Sequence, residues 1–548
     1  MFIPLLKSNH LLINTVVLVS SLILSGCNSD SDTNTQTGEI KTKNIIVMIA
    51  DGASDGVWDI ANFWKKGQVL LNDSYPFNEI ETRYAMATYA LNGNSAPDTS
   101  EDCDAETYAE GFGYSPLKAI DETSTDAMAY GGFTSLGIGD LTDTHELCLS
   151  PEEGKICFLY PYGDLVLTMY APYMPLIFEG YNYLNTNYTD SAAAATAIAT
   201  GTSTYNGAIS VDNCGKPLSP ITKHAKAQGL STGIVTTVPM SHGTPAPFGS
   251  HNISRGNTSE IGNDMLINGY LDLIMGAGHP LFDENGVSVS KPNYGYIAED
   301  AWNQLQNGTL FPQGGDKAWT FFDSKEDFSA LANGTASSDI LDGPLIGLFQ
   351  NIETLQQKRT CTSGNFDVAF SCPQLTNVPD LATMSKGALN YLSQNENGFF
   401  VMIEGGAIDW AAHNNETSRI IEEQIDFNNA VAAVYEWVET NSSWDETLLI
   451  VTTDHGNAFV LGNASDQSIY SPVEMVAKET MPNVKYYSGS HTNELVRFYA
   501  KGNGSELFAK HVIGTDSNYP ERYRHIGADG SYFQSKHIFD VVKEVISE

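Results

Sequence analysis

The chain has 548 residues, 42% of them hydrophobic and 10% aromatic, enough for one large α/β domain with insertions or for two or three smaller domains. It carries 66 acidic against 28 basic residues, a formal net charge of −38. That balance excludes nucleic acid or an anionic membrane surface as partner, because both need a basic footprint, and it obliges an anionic substrate to find a locally positive site.

The N-terminus reads as an export signal. Lys7 precedes an apolar run from Leu11 to Leu24 that is short for a membrane span. The "LSGC" that follows, Leu24 to Cys27, resembles the bacterial lipobox. By that resemblance residues 1–26 are a lipoprotein signal peptide, the Cys27 thiol carries lipid, and the protein meets a membrane only through that anchor. Residues 28–43 are polar and read as a flexible tether. The expected location is the periplasm, or the outer membrane and cell surface, of a bacterium. Setting Cys27 aside leaves six cysteines, an even number that permits three disulfides in an exported chain. Cys148 with Cys157 and Cys361 with Cys372 are the short-loop pairs, which leaves Cys103 with Cys214. None has the spacing of a zinc knuckle.

Along the chain, three apolar runs each end in an acidic residue: "NIIVMIAD" at Asn44–Asp51, "GFFVMIEGG" at Gly398–Gly406 and "TLLIVTTDH" at Thr447–His455. Unbroken Val/Ile/Leu/Phe runs mark strands buried on both faces of a parallel sheet. Val431, Val434 and Val438 share one face of a helix before the third run. The fold class is therefore α/β, an open and mostly parallel central sheet flanked by helices, with ligands collected at the carboxyl ends of the strands. Two intervals interrupt the pattern, 92–187 and 257–380. Both are irregular and rich in Gly and polar residues, and both are read as large surface insertions in a catalytic domain spanning 44–548.

"TDSAAAATAIATG", Thr189–Gly201, sets Asp190 and Ser191 at the mouth of a small-residue helix. Taken alone this is an N-cap and no more. Other segments change its meaning. In "EGGAIDWAAHNNE", Asp409 and His413 stand four apart and share a helix face, so both reach one ion. Asp454 precedes His455, His491 opens "HTNELVRF", and "MSHGTPAPFGSHNISRG" supplies His242, Thr244 and Arg255. With Asp51 and Glu404, these give nitrogen and oxygen ligands suited to zinc and magnesium at one sheet edge.

In order, "NIIVMIADG", "TDSAAAATAIATGTSTYNGAISVD", "GTPAP", "SHNISR", "FFVMIEGGAIDWAAH", "TLLIVTTDHGNA" and "SGSHTNEL" resemble the pattern of the metal-dependent alkaline phosphatases, as a lipoprotein member. The resemblance implies phosphate-monoester hydrolysis at alkaline pH through a phosphoserine on Ser191. It implies a first zinc on Asp409, His413 and His491, a second on Asp51, Asp454 and His455, and magnesium on Asp51, Thr244 and Glu404. Arg255 would clamp the phosphate, with His242 and Trp410 beside it, and a homodimer is common in the family. Two positions depart from that pattern. His242 stands where some bacterial members have Asp, which bears on the third metal, and Trp410 stands where a well-known member has Lys. A phosphodiesterase of the same superfamily is the competing reading. A sulfatase is excluded because "SAAAA" lacks the context for its modified nucleophile, and no G-x-S-x-G elbow is present for a metal-free serine esterase.

Overall fold

A computed structural model describes residues 42–67, 76–104, 107–125, 146–149, 156–159, 177–338 and 340–547. Its frame is an eleven-stranded sheet. In chain order the strands are β1 (Asn44–Ile49), β2 (Thr82–Ala87), β3 (Ser231–Pro239), β4 (Leu273–Ala277), β5 (Thr320–Phe322) and β6 (Leu345–Leu348). They continue with β7 (Phe399–Glu404), β8 (Thr447–Thr452), β9 (Val496–Gly502), β10 (Gly514–Thr515) and β11 (Ser531–Gln534). Across the sheet they run β10-β11-β2-β9-β8-β1-β7-β3-β4-β6-β5. From β8 to β5 every neighbouring pair is parallel, while β9 runs antiparallel to β8 and β2.

The three apolar runs are the three central strands. Every residue of β1, β7 and β8 is buried. The helices that cover them are α1 (Asp55–Lys66), α2 (Ser191–Thr200), α3 (Ala407–His413), α4 (Thr417–Asn441) and α5 (His537–Ser547). Ile46 and Met48 of β1 pack in one apolar cluster with Trp58 and Phe63 of α1 and Val431, Val434 and Val438 of α4. Ile45, Val47 and Ile49 point the other way, into a cluster with Ala192, Ala195 and Ile198 of α2 and Ile538, Val541 and Val542 of α5. Both faces being covered, the strand shows no polar alternation.

The register sets the site. Ile49 pairs with Glu404 on one side and Thr452 on the other, so the three strands finish level. Asp51 and Asp454 each stand two residues beyond their strand. Gly52 turns the chain there at φ 67°, and a Cβ on it would come within 2.5 Å of Asp409 Oδ1. Only glycine admits that approach.

The interval 257–380 departs from the expected surface insertion. It contributes β4, β5 and β6, an edge of the main sheet, and carries the Cys361–Cys372 disulfide. These strands are only three to five residues long, too short to show a period. In the interval 92–187, Cys103 is disulfide-bonded to Cys214 beyond α2. Residues 146–149 and 156–159 pair antiparallel with Cys148 opposite Cys157 in register. The signal, lipobox and most of the tether lie outside the described residues, as do residues 126–145 and 160–176. No helix among the described residues is long and apolar enough to cross a membrane.

Candidate metal centre and nucleophile

Helix α2 is plain in sequence because it is wholly buried: all ten residues lie between the sheet and α5. Alanine and threonine let it approach closely. It ends at Gly201, φ 73°, where a Cβ would meet the Phe539 ring at 2.6 Å. At its start Asp190 Oδ1 accepts from the N–H groups of Ala193 and Gly207, both at 2.9 Å. The other carboxylate oxygen, Oδ2, accepts from Arg255 Nη1 at 3.0 Å. One side chain therefore caps the helix and orients the guanidinium.

Ser191 Oγ lies 3.1 Å from His455 Nε2 and 3.5 Å from Asp51 Oδ1. Around it the expected ligands converge from separate elements. His455 Nε2 is 3.4 Å from Asp51 Oδ1 and 3.2 Å from Asp454 Oδ2. His491 Nε2 is 3.4 Å from Asp409 Oδ1, and His413 Nε2 is 3.4 Å from Asp409 Oδ2 and 3.1 Å from His491 Nε2. The His455 and His491 rings stack at 3.6 Å. Potential ligand atoms of Asp51, Asp454 and His455, and likewise of Asp409, His455 and His491, lie within 4.8 Å of one another. Thr244 Oγ1 donates to Asp51 Oδ2 at 3.1 Å, and Glu404 accepts from Thr236 Oγ1. Of these groups only His413 is exposed.

The donor set fits divalent cations on three counts. His491 Nδ1 donates to Thr189 O at 2.8 Å, His455 Nδ1 to Gly456 O and His413 Nδ1 to Gly489 O, both at 3.3 Å. Each imidazole thus spends its Nδ1 proton on a backbone carbonyl and turns a lone pair on Nε2 toward the carboxylates, the usual preparation of a metal-binding histidine. Second, Asp51, Glu404, Asp409 and Asp454 are buried together, and among the described residues no lysine or arginine forms a salt bridge to any of them. Third, Glu404 Oε1 and Asp454 Oδ2 are buried without accepting a hydrogen bond. Unpaired buried charge is costly unless an ion compensates it.

Titration behaviour carries the same strain. Burial, with the repulsion of Asp454, Asp409 and Glu404, holds Asp51 well above the usual carboxylate range. Burial lifts Glu404 to about 8 and, with Asp409, lifts Asp454 to about 7. For Asp409 burial pushes upward, yet the positive charge that the facing His413 and His491 rings carry when protonated at Nε2 prevails and holds it well below its ordinary value; a cation at Nε2 would take the place of that proton. His455 is depressed by burial and by His491. Burial and Arg255 depress His242 to about 3, leaving a neutral ring whose Nε2 accepts from Arg255 Nη2 at 3.2 Å.

Ser191, His242, Arg255, Lys358, Asp409, Trp410, His413, Asn414 and His491 line a cleft of about 310 Å³. A larger groove of about 750 Å³, bordered by Tyr391 and Trp437, lies on other elements and holds no histidine or cysteine. Of the residues singled out in the sequence, Ser191, His242, Arg255, Asp409, Trp410, His413 and His491 line this cleft; Asn457, whose Nδ2 donates to Asp409 Oδ1 at 2.6 Å, and Lys358 were not among them. Asn457 sits within the quoted "TTDHGNA", three residues past Asp454, which was the available signal. Lys358 had none.

This is an α/β fold with a buried cluster of carboxylates and imidazoles, able to hold divalent cations, around a serine at a helix N-terminus. A family model for alkaline phosphatase matches residues 172–523. The chain belongs to the alkaline phosphatase family. It is 32% identical over 300 residues to alkaline phosphatase 4 of Bacillus subtilis, covering 54% of this chain and 55% of that one. It is 32% identical over 297 residues to the alkaline phosphatase of Escherichia coli, covering 49% and 58%. The matches thus span little more than half the length of these curated relatives. Among solved structures, the alkaline phosphatase of the Antarctic bacterium TAB5 superposes with a TM-score of 0.51 over 92% of this chain and 98% of that one, at 21% identity. A mutant of the TAB5 protein has been solved with Mg bound in the M3 site, with a TM-score of 0.52.

Proposed function

We propose that the protein hydrolyses phosphate monoesters at alkaline pH through a covalent phosphoserine on Ser191, releasing inorganic phosphate. The carrying observation is the Ser191 hydroxyl, buried at the start of α2 and 3.1 Å from a neutral imidazole within a cluster of buried carboxylates. Two zinc ions, on Asp409, His413 and His491 and on Asp51, Asp454 and His455, and a magnesium ion on the oxygen donors Asp51, Thr244 and Glu404, would supply Lewis acidity at the attacking and leaving oxygens.

The chain's own residues do the rest. Ser191 Oγ forms the new bond to phosphorus as the bond to the leaving-group oxygen breaks. The N-terminal end of α2 favours the negative phosphoryl group. Arg255, charged and tied to Asp190, presents a planar fork to two phosphate oxygens, which suits a terminal dianionic phosphate. Water then cleaves the phosphoserine, restoring the hydroxyl and completing the exchange of alcohol for phosphate. His242 is neutral and Arg-bound, so it brings no negative charge to the third metal set.

The test is Ser191→Ala. Turnover of an aryl phosphomonoester is expected to fall by on the order of 10³ or more, with zinc and magnesium content retained. Unchanged turnover would end the covalent mechanism. Rates on a mono-aryl against a bis-aryl phosphate separate this reading from the phosphodiesterase one. The reading extends to location. Disulfides at Cys103–Cys214 and Cys361–Cys372 suit an oxidising compartment, which supports export; lipid at Cys27 rests on the lipobox resemblance alone, and mass spectrometry of the N-terminus tests it.

A further inference from the structure

One wall of the cleft is built from four side chains drawn from three segments: His242 and Arg255 from one, Lys358 from a second and Trp410 from a third. Arg255 Nη2 bonds to His242 Nε2 at 3.2 Å, and the His242 ring meets the Trp410 indole edge-on at 5.3 Å. Lys358 Nζ stands 5.4 Å from the centroid of that indole. Lys358 is exposed at the rim, and all four line the same cleft as Ser191. They form one continuous surface from the phosphate end to solvent, with a cation at each end and two uncharged rings between.

The rim cation is held in place and kept available. The Lys358 N–H donates to Thr354 Oγ1 at 2.9 Å. Its neighbour Arg359 is buried, with Nη2 donating to Glu422 at 2.8 Å and Nε to Pro373 O at 2.8 Å. The ammonium leans on an aromatic face and, among the described residues, forms no salt bridge. Glu353 and Glu416 feel its charge without pairing to it. An ammonium over an indole keeps donors free for a ligand. Arg255 is the other Lys or Arg lining the cleft, and Asp190 already engages it. In a chain of net charge −38, a substrate bearing charge beyond its phosphate needs a second positive point.

We propose that Lys358 forms an anion subsite for the leaving group, so that the enzyme favours phosphomonoesters whose leaving group carries a second negative charge, a carboxylate or a further phosphate. This rests on the phosphomonoesterase reading above. Arg255 and the ligand cluster surround Ser191, where the transferred phosphoryl sits. Lys358 comes beyond His242 and Trp410, where the remainder of the substrate must lie. It is a specificity residue and takes no part in bond making.

The experiment compares 3-phosphoglycerate with glycerol 3-phosphate, a pair that differs by a carboxylate, in the metal-loaded full chain. The readout is the ratio of their kcat/KM values in native protein, Lys358→Met, Lys358→Arg and Lys358→Glu. The ratio is expected to fall about three- to tenfold in Lys358→Met and further in Lys358→Glu, through KM, and to be retained in Lys358→Arg; added salt should compress the native ratio toward that of Lys358→Met. A ratio unmoved by Lys358→Met and Lys358→Glu overturns the subsite. Hydrolysis of neither compound by the native metal-loaded protein would instead overturn the phosphomonoesterase reading.

Discussion

Removing the metals should make the stability of this protein depend on pH in a way the loaded protein does not share. The perturbation is chelation. Glu404 sits at about 8 against an ordinary 4.5, because it is buried and faces Asp454. At about 1.4 kcal/mol per pH unit, that displacement corresponds to roughly 5 kcal/mol. The folded pKa being raised, the stability is fully present below about 4.5 and is lost as pH climbs to about 8. Asp454, at about 7, shares the same repulsions, so its loss overlaps with that of Glu404 rather than adding to it. Cations on the cluster favour the charged carboxylates and reverse the term. With an unfolding entropy of roughly 2 cal/mol/K per residue over some 500 residues, about 5 kcal/mol is worth roughly 5 °C in Tm. Thermal scans at pH 5, 6, 7, 8 and 9, with chelator and with zinc plus magnesium, give the result directly. Acids raised by burial on other elements, such as Asp426 at about 7, titrate in both samples and cancel in the difference. The two Tm curves should diverge by about that amount between pH 5 and 9. Parallel curves would refute the reasoning that these carboxylates are poised for cations.

Asn457→Ala removes the donor that fixes Asp409 Oδ1. Zinc affinity, measured by competition with a chromogenic chelator, should fall about 10- to 100-fold; an unchanged affinity counts against Asn457 as the orienting group. Glu423→Gln acts far from the cluster. Glu423 lies on α4, buried near Asp426 and Glu422, with Oε1 unpartnered, and burial lifts it to about 8. With the folded pKa raised, stability is lost as pH climbs from about 4.5 to about 8, so the variant should gain roughly 4 kcal/mol more at pH 9 than at pH 5 in urea unfolding. An equal effect at both pH values would contradict the assigned cause.

The sequence by itself determined the strands that hold the site. Asn44–Ile49, Phe399–Glu404 and Thr447–Thr452 are apolar without a break because helices cover both faces, and each run ends on or just before a carboxylate at the edge where ligands gather. Spacing alone put Asp409 and His413 on one face of a helix, and Asp190 was legible as a cap. Tertiary structure decided what met what. The level ends of β1, β7 and β8 bring Asp51, Glu404 and Asp454 together, a matter of inter-strand register that no local pattern encodes. The strands at 273–277, 320–322 and 345–348 were hidden because so few residues cannot display a period. Lys358 was hidden for a different reason: its importance lies in a contact with Trp410, far away along the chain, and a contact made only by folding leaves no trace in the residues on either side of it. Asn457 had Asp454 nearby as a signal, but its partner Asp409 is brought to it only by the fold.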